Sequence, residues 1–341
     1  MPDTDFNCLP TVIGSLPHRD ANAACALVGR YLKDIPAWPQ LPRRSPKEDM
    51  NAQYSEGFPG IALEDGNLRV RRQANFEKEL ERLYTAYLAG DFSKYHVSDE
   101  YAAGLYCFLE TKFSSARAVK GQVTGPVTWG LVVADETRRA IIYDEVLGEA
   151  LPKFLRLKVA WMENKLREVN PRTIMFIDEP YLASFGSVAV PLSREKVTSL
   201  LDEVLGGIRG LKGIHCCGNT DWPVVLATSI DILNFDAYNF ANSLALYTKD
   251  VKRFIDRGGA IAWGIVPSSD ADLARETVAS LKDRLEEAMA PFARNGIHIR
   301  QLREQALLTP SCGLAGLSEE AAEDALVKLT GLSKTLQEIY R

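Results

Sequence analysis

From about residue 117 onward the chain alternates between two textures. Short apolar and β-branched runs appear at RAVKGQVTG (117–125), TIMFIDEP (173–180), GIHCCG (213–218), DILNFDAY (231–238), AIAWGIV (260–266) and ALLTPSCG (306–313). Between them lie longer stretches with helical spacing, such as 144–169 and 270–295. In the second of these, Leu273, Val278, Leu281, Leu285 and Met289 recur every three to five residues and form one apolar stripe. Strand followed by helix, many times over, is the pattern of a parallel sheet covered by helices.

The N-terminal third is less regular. LPTVIGSLP (9–17) reads as a first strand and RDANAACALVGRYL (19–32) as a helix. The segment 35–46 carries four prolines, which argue against regular structure, and 38–60 reads as a long loop able to serve as a lid. GIALEDGNLRV (60–70) reads as a hairpin turning at Asp65-Gly66, followed by a helix over 75–91. Strands centred near 12, 62, 118, 175, 214, 233, 262 and 307 make eight. The expectation is an α/β fold: a single (β/α)8 TIM barrel spanning 1–341 as one catalytic domain, with an elaborated N-terminal region. An open, doubly wound sheet is the runner-up, but the phosphate-binding G-x-G-x-x-G it often carries is absent.

Composition narrows the partners. Forty basic and 45 acidic side chains leave a net charge of −5, which argues against nucleic acid or an anionic membrane. The N-terminus lacks the basic and apolar regions of a signal peptide, and no run approaches the ~20 apolar residues of a membrane span. A cytoplasmic protein is expected. In a reducing compartment, clustered thiols point to metal or catalysis more often than to disulfides.

The polar residues that interrupt the apolar runs fall at the C-terminal ends of the expected strands: Ser15, Thr124, Asp178, Glu179, His215, Cys217, Asp236, Asn239 and Cys312. In a barrel that rim is where active sites are built. Within the strand ending GIHCCG, His215 and Cys217 face one side and Cys216 the other. One imidazole and two thiolates, with Cys312 at the end of the last strand, make a zinc set with a position left for an exchangeable ligand. Buried cysteines are also commonly small hydrophobes, which is the reading for Cys8, Cys25 and Cys107. Spacing alone leaves both readings of His215, Cys217 and Cys312 open.

TVIGSLP near the N-terminus, VTGPVT (123–128), IDEP (177–180), HCCGN (215–219) and PSCG (310–313) occur in an order that resembles a known superfamily. Together they look like the catalytic barrel of cobalamin-independent methionine synthase and the related zinc methyltransferases that use methylcobalamin. Uroporphyrinogen decarboxylase shares that superfamily but lacks such a zinc site. The resemblance implies zinc held by His215, Cys217 and Cys312, with Asp236 standing where the methionine synthases have a further glutamate ligand. It implies an amino-acid acceptor held by Ile13, Gly14 and Ser15, its ammonium received by Asp178. Glu179 beside it is a further candidate contact, although the two acids of IDEP could instead cap a helix, and Glu56 in the 38–60 loop is another candidate substrate contact.

Two departures bear on the methyl donor. Folate-using members are about twice as long and carry a histidine acid in a segment corresponding to WGIVPSS (263–269), where this chain has none. A methyl group on cobalt(III) leaves Co(I) without needing a proton donor. The expectation is therefore transfer from methylcobalamin, free or on a corrinoid protein, to the thiol of homocysteine, giving methionine. The corrinoid would be a visiting substrate, since no cobalamin-holding D-x-H-x-x-G is present. Coenzyme M as acceptor, or a decarboxylase of the uroporphyrinogen type, are the alternatives; a sulfonate acceptor has no ammonium to pair with Asp178. His18 reads as a surface residue, and Trp38, Trp129, Trp222 and Trp263 as core.

Overall fold

The computed structural model describes residues 4–187 and 190–339. Seven strands lie in one parallel sheet: β1 (Leu9–Pro10), β4 (Val119–Thr124), β5 (Thr173–Asp178), β6 (Leu211–Cys216), β7 (Ile232–Phe235), β8 (Ala260–Val266) and β9 (Ala306–Pro310). Their order is β1-β9-β8-β7-β6-β5-β4, so from β4 to β9 each strand pairs with its successor in the chain, and β9 returns to β1. That is a sheet curling toward closure. Helices cover the outside, which explains why β4, β5, β7, β8 and β9 are buried along their whole length and read as unbroken apolar runs.

The remaining pair, β2 (Ile61–Glu64) and β3 (Asn67–Val70), forms the expected hairpin at Asp65-Gly66, both with positive φ as a tight two-residue turn requires. This corrects the strand count. The strand near 62 pairs only with β3, antiparallel, and does not enter the barrel sheet.

The gap between β1 and β4 is spanned instead by the proline-rich stretch 36–40. Lys120 N donates to Pro36 O (2.9 Å), Trp38 N to Lys120 O (3.2 Å), Gln40 N to Gly14 O (3.0 Å) and Leu16 N to Gln40 O (2.9 Å). Both bridges, Ala37 to Lys120 and Ser15 to Gln40, run parallel. Proline lacks only the N–H, and here the donors are Trp38 and Gln40, so Pro36 and Pro39 are tolerated in an extended segment. Four prolines excluded a regular strand but not an extended edge that completes the ring.

Beyond this segment, 46–54 folds back over the C-terminal end of β4 in two short 3₁₀ turns, Pro46–Glu48 and Ala52–Tyr54. Thr124 Oγ1 donates to Met50 O (2.5 Å) and Trp129 Nε1 to Asn51 O (3.0 Å). The four tryptophans expected in the core are fully buried there, Trp129 edge-on to Phe58 and Trp222 edge-on to Phe235. The helical stretch 270–295 breaks in two. Thr277 caps a helix over Val278–Arg294 through a reciprocal hydrogen-bond box with Ser280, and Leu281, Leu285 and Met289 supply its buried face.

Candidate metal and active site

Strand register assembles the site. Thr124, Asp178, His215 and Asn234 pair in sequence across β4, β5, β6 and β7, one row of side chains at the C-terminal end of the sheet. Alternation along β6 sends Ile214 and Cys216 outward and His215 inward. The Cys216 thiol is wholly buried, donates to Gly218 O and is pushed up to about 12 by burial. It is a packing residue.

His215, Cys217 and Cys312 converge: one ligand atom from each lies within 4.8 Å of the others. This is the one such cluster among the described residues. Asn234 fixes the imidazole. Its amide nitrogen donates to Ala262 O (2.8 Å) and Thr309 Oγ1 (2.9 Å), so the oxygen faces His215 Nδ1 at 2.5 Å. A main-chain carbonyl only accepts, which sets the orientation of the Asn234 amide and makes Nδ1 the proton-bearing nitrogen. His215 Nε2 is then left with a lone pair, buried and without a partner among the described residues. A ring whose second nitrogen is tied this way is the usual arrangement of a metal-binding histidine.

The two sulfurs share a hydrogen bond. It holds the Cys217 thiol below its ordinary value against the effect of burial, while that bond and burial together raise Cys312. Burial works against a charged His215, but the neighbouring Cys312, Asp178 and Asn234 outweigh it and leave the ring above its ordinary value. A negative charge is thus favoured on the Cys217 sulfur and disfavoured on that of Cys312.

Asp178 ends β5, and its Oδ1 is buried with no hydrogen-bond partner. Burial pushes the carboxyl up to about 6, opposed by the charges of His215 and Lys120. Glu179 behaves differently. Its oxygens accept from Val127 N (2.8 Å), Thr128 N (2.7 Å) and Thr128 Oγ1 (2.6 Å), and a Cβ on Gly125 would lie 2.3 Å from it. Both oxygens are taken up in holding the start of the helix Pro126–Val132. Of the two acids in IDEP, Asp178 is the one with acceptor capacity to spare.

Ile13, Gly14 and Ser15 lie against the loop carrying Cys312. Leu314 N donates to Ser15 O (2.9 Å), and a Cβ on Gly313 would meet Ser15 Oγ at 2.0 Å. Gly14 has φ +156°, and a side chain there would strike Gln122 Nε2 at 2.4 Å and Gln40 Oε1 at 2.8 Å. Across the same rim Ser268 and Ser311 hydrogen-bond at 3.0 Å, and Val266–Ser269 offers no titratable side chain.

The other expected residues sit apart from the trio. Asp236 is not in the cluster; its carboxylate caps the helix Ala237–Ala245, accepting from Asn239 N (2.9 Å) and Asn239 Nδ2 (2.7 Å). Glu56 Oε2 accepts from Ser98 N (2.9 Å) and so ties two loops together. His18, expected at the surface, is only 6% exposed and lies 3.8 Å from Glu319 at the start of the last helix, because that helix packs over the first strand–helix junction.

Sequence reading did not single out Asn234, Lys120, Gln122 or Tyr54. The signal existed for Lys120 and Gln122. With Thr124 they occupy every second position of a strand buried throughout, where an inward-facing polar set is unusual.

No protein-family profile matches the chain. It is 24% identical over 222 residues to a protein named methionine synthase from Methanocaldococcus jannaschii, a match covering 64% of this chain and 65% of that one. The chain thus spans less than two thirds of that relative's length. Among solved structures it resembles a B12-independent methionine synthase from Shewanella sp. W3-18-1 in complex with selenomethionine. There the TM-score is 0.58 and the identity 14%, over 97% of this chain and 98% of that one. It also resembles a methyltransferase from Methanosarcina mazei, with a TM-score of 0.53 and 15% identity, over 94% of this chain and 84% of that one. At these identities the two structures share the fold.

Proposed function

We propose that this chain is a methyltransferase acting on the thiol of an amino acid, making methionine from homocysteine, with a metal held by His215, Cys217 and Cys312. The observation that carries the reading is the trio itself: two sulfurs and an imidazole nitrogen within 4.8 Å of one another, that nitrogen buried, lone-paired and unpartnered. The names of the M. jannaschii relative and of both structural neighbours support methyl transfer.

The residues fit Zn2+, a borderline-soft ion that takes Cys and His ligands and, when catalytic, keeps a fourth position open. Bound there, zinc would supply the Lewis acidity that keeps an acceptor thiol deprotonated at neutral pH. The chain's own groups do the rest. Asn234 holds the imidazole in its binding tautomer. Asp178, with a free buried oxygen, receives the acceptor's ammonium. The Ile13–Ser15 turn, packed on the Cys312 loop, lines the acceptor. The segment 46–54 covers the β4 side of the mouth and limits water there.

For the donor we propose methylcobalamin, free or on a corrinoid protein. The acceptor sulfur forms a bond to the methyl carbon as the cobalt–carbon bond breaks. Its electron pair stays on cobalt as Co(I), and the thiol proton goes to solvent. No acid is needed at the leaving group, which suits a rim segment Val266–Ser269 without a titratable side chain. Length does not decide this point: a chain matched over 98% of its length is named B12-independent.

The test mixes zinc-supplemented protein, methylcobalamin and homocysteine and quantifies methionine, with Cys312→Ser as control. Methionine from the wild type that disappears in the control is expected. Methionine formed equally by both would overturn the role of the trio, and none from the wild type would remove free methylcobalamin as the donor.

A further inference from the structure

Below the mouth, inside the ring of strands, sits a lysine to which the proposed chemistry gives no task. Lys120 is wholly buried on β4. Its Nζ donates to Ile13 O (2.6 Å) and Gln122 Oε1 (3.2 Å) and lies 4.3 Å from the centre of the Phe176 ring. An ammonium group has three protons to donate, and among the described residues the third finds no acceptor. Asp178, also buried, has an oxygen that accepts nothing. No ion pair joins the two among the described residues, although each group's charge acts on the other.

Burial works against both charges, bringing Lys120 down to about 7 and Asp178 up to about 6; a partner of opposite charge at each group restores the charged form. A zwitterion supplies both: its ammonium matches Asp178 and its carboxylate matches a cationic donor. The lysine is also fixed in place. Gln122 Nε2 donates to Trp38 O (3.3 Å), Tyr54 OH donates to Gln122 O (2.6 Å), and Gln40 Nε2 donates to Gln53 Oε1 (2.8 Å) and Tyr54 OH (3.1 Å). This buried network ties the segment that completes the ring, the segment over the mouth and the Ile13–Ser15 turn to a single cation.

We propose that Lys120 is a positioning and specificity residue: it holds the Ile13–Ser15 turn through Ile13 O and supplies the positive charge that makes the site select a thiol bearing an α-amino-acid carboxylate. This rests on the amino-acid-thiol reading of the site and adds to it the group that recognises the acid end. Lys120 acts on the acceptor's grip, not on the transferred methyl.

The test is calorimetric binding, with no methyl donor present, of three thiols to zinc-supplemented wild type, Lys120→Met and Lys120→Arg. The thiols are homocysteine, 3-aminopropanethiol (which lacks the carboxylate) and 4-mercaptobutyrate (which lacks the ammonium). Wild type should prefer homocysteine to aminopropanethiol by about tenfold or more, the usual worth of a charge-assisted hydrogen bond. Lys120→Met should remove that preference, weakening homocysteine by about tenfold more than aminopropanethiol, and Lys120→Arg should restore part of it. Equal loss for all three thiols, or no loss for any, would overturn the proposal. If neither variant folds, the wild type alone decides, since equal binding of homocysteine and aminopropanethiol also overturns it. Homocysteine binding with the expected selectivity but no methyl transfer would sink the function and leave the lysine's role intact. Methyl transfer without selectivity would do the reverse, and failure to bind homocysteine would overturn both.

Discussion

Asn234 is the residue whose removal reads most directly on how the metal site is prepared. It makes three contacts: to His215 Nδ1, to Ala262 O and to Thr309 Oγ1. Asn234→Ala deletes all three in a fully buried position. The His215 Nδ1 proton then loses its acceptor, and the ring loses the partner that fixes its orientation and tautomer. Deleting the group that orients a metal-bound histidine typically costs 10–100-fold in metal affinity, or about 1.4–2.8 kcal/mol at about 1.4 kcal/mol per tenfold. Leaving one buried polar group unsatisfied costs about 1–3 kcal/mol in stability. The zinc dissociation constant, measured by competition with a chromophoric chelator at fixed pH, should rise by about one to two decades. Asn234→Asp separates the two effects. It keeps an acceptor for His215 Nδ1 but turns an oxygen toward Ala262 O, so it should retain most zinc affinity while lowering the melting temperature. Wild-type zinc affinity in Asn234→Ala would refute the view that Asn234 prepares His215 as a ligand.

Three further outcomes are expected. Gly14→Ala forces a Cβ to within 2.4 Å of Gln122 Nε2; overpacking of this kind costs about 1–3 kcal/mol, so denaturant melts should show that loss and the acceptor KM should rise. Asp178 takes up its proton near 6, higher than an ordinary aspartate, because it is buried. As pH falls through that value the partner of the ammonium is lost. The preference for homocysteine over 4-mercaptobutyrate should therefore fall toward one by about a decade per pH unit, and a flat ratio in the wild type, or an unchanged slope in Asp178→Asn, would count against this role. Cys216→Ala should keep zinc and lose only modest stability, whereas Cys217→Ser should lose zinc, as read by metal content after dialysis. Equal zinc retention in both variants would argue against the alternation along β6.

How far the sequence could be read depended on which force dominated locally. The barrel was legible because buried parallel strands and their covering helices impose different apolar periods, and β4 to β9 follow that pattern without exception. The trio was legible for a related reason: strand ends converge in a barrel, so His215, Cys217 and Cys312 could be expected to meet. The stretch 36–40 is not legible as part of the ring because proline signals a break in regular structure, whereas here the missing N–H groups fall where no donor is required. The strand near 62 cannot be told from a barrel strand in sequence because the two look alike over four residues. His18 depends on a helix some 300 residues away in sequence, which no local pattern reports. Glu179 and Asp178 are adjacent and chemically alike, and only the position of the helix at Pro126–Val132 separates a cap from a free carboxylate.

The most direct measurement is zinc content combined with X-ray absorption at the zinc edge on protein purified without added metal. One zinc per chain, with two sulfur neighbours near ~2.3 Å and a nitrogen near ~2.0 Å, is the expected result, and Cys312→Ser, like Cys217→Ser, should lose the metal. Absence of stoichiometric zinc from protein also offered the metal, or a shell of oxygen and nitrogen alone, would contradict the assignment of His215, Cys217 and Cys312 as its ligands.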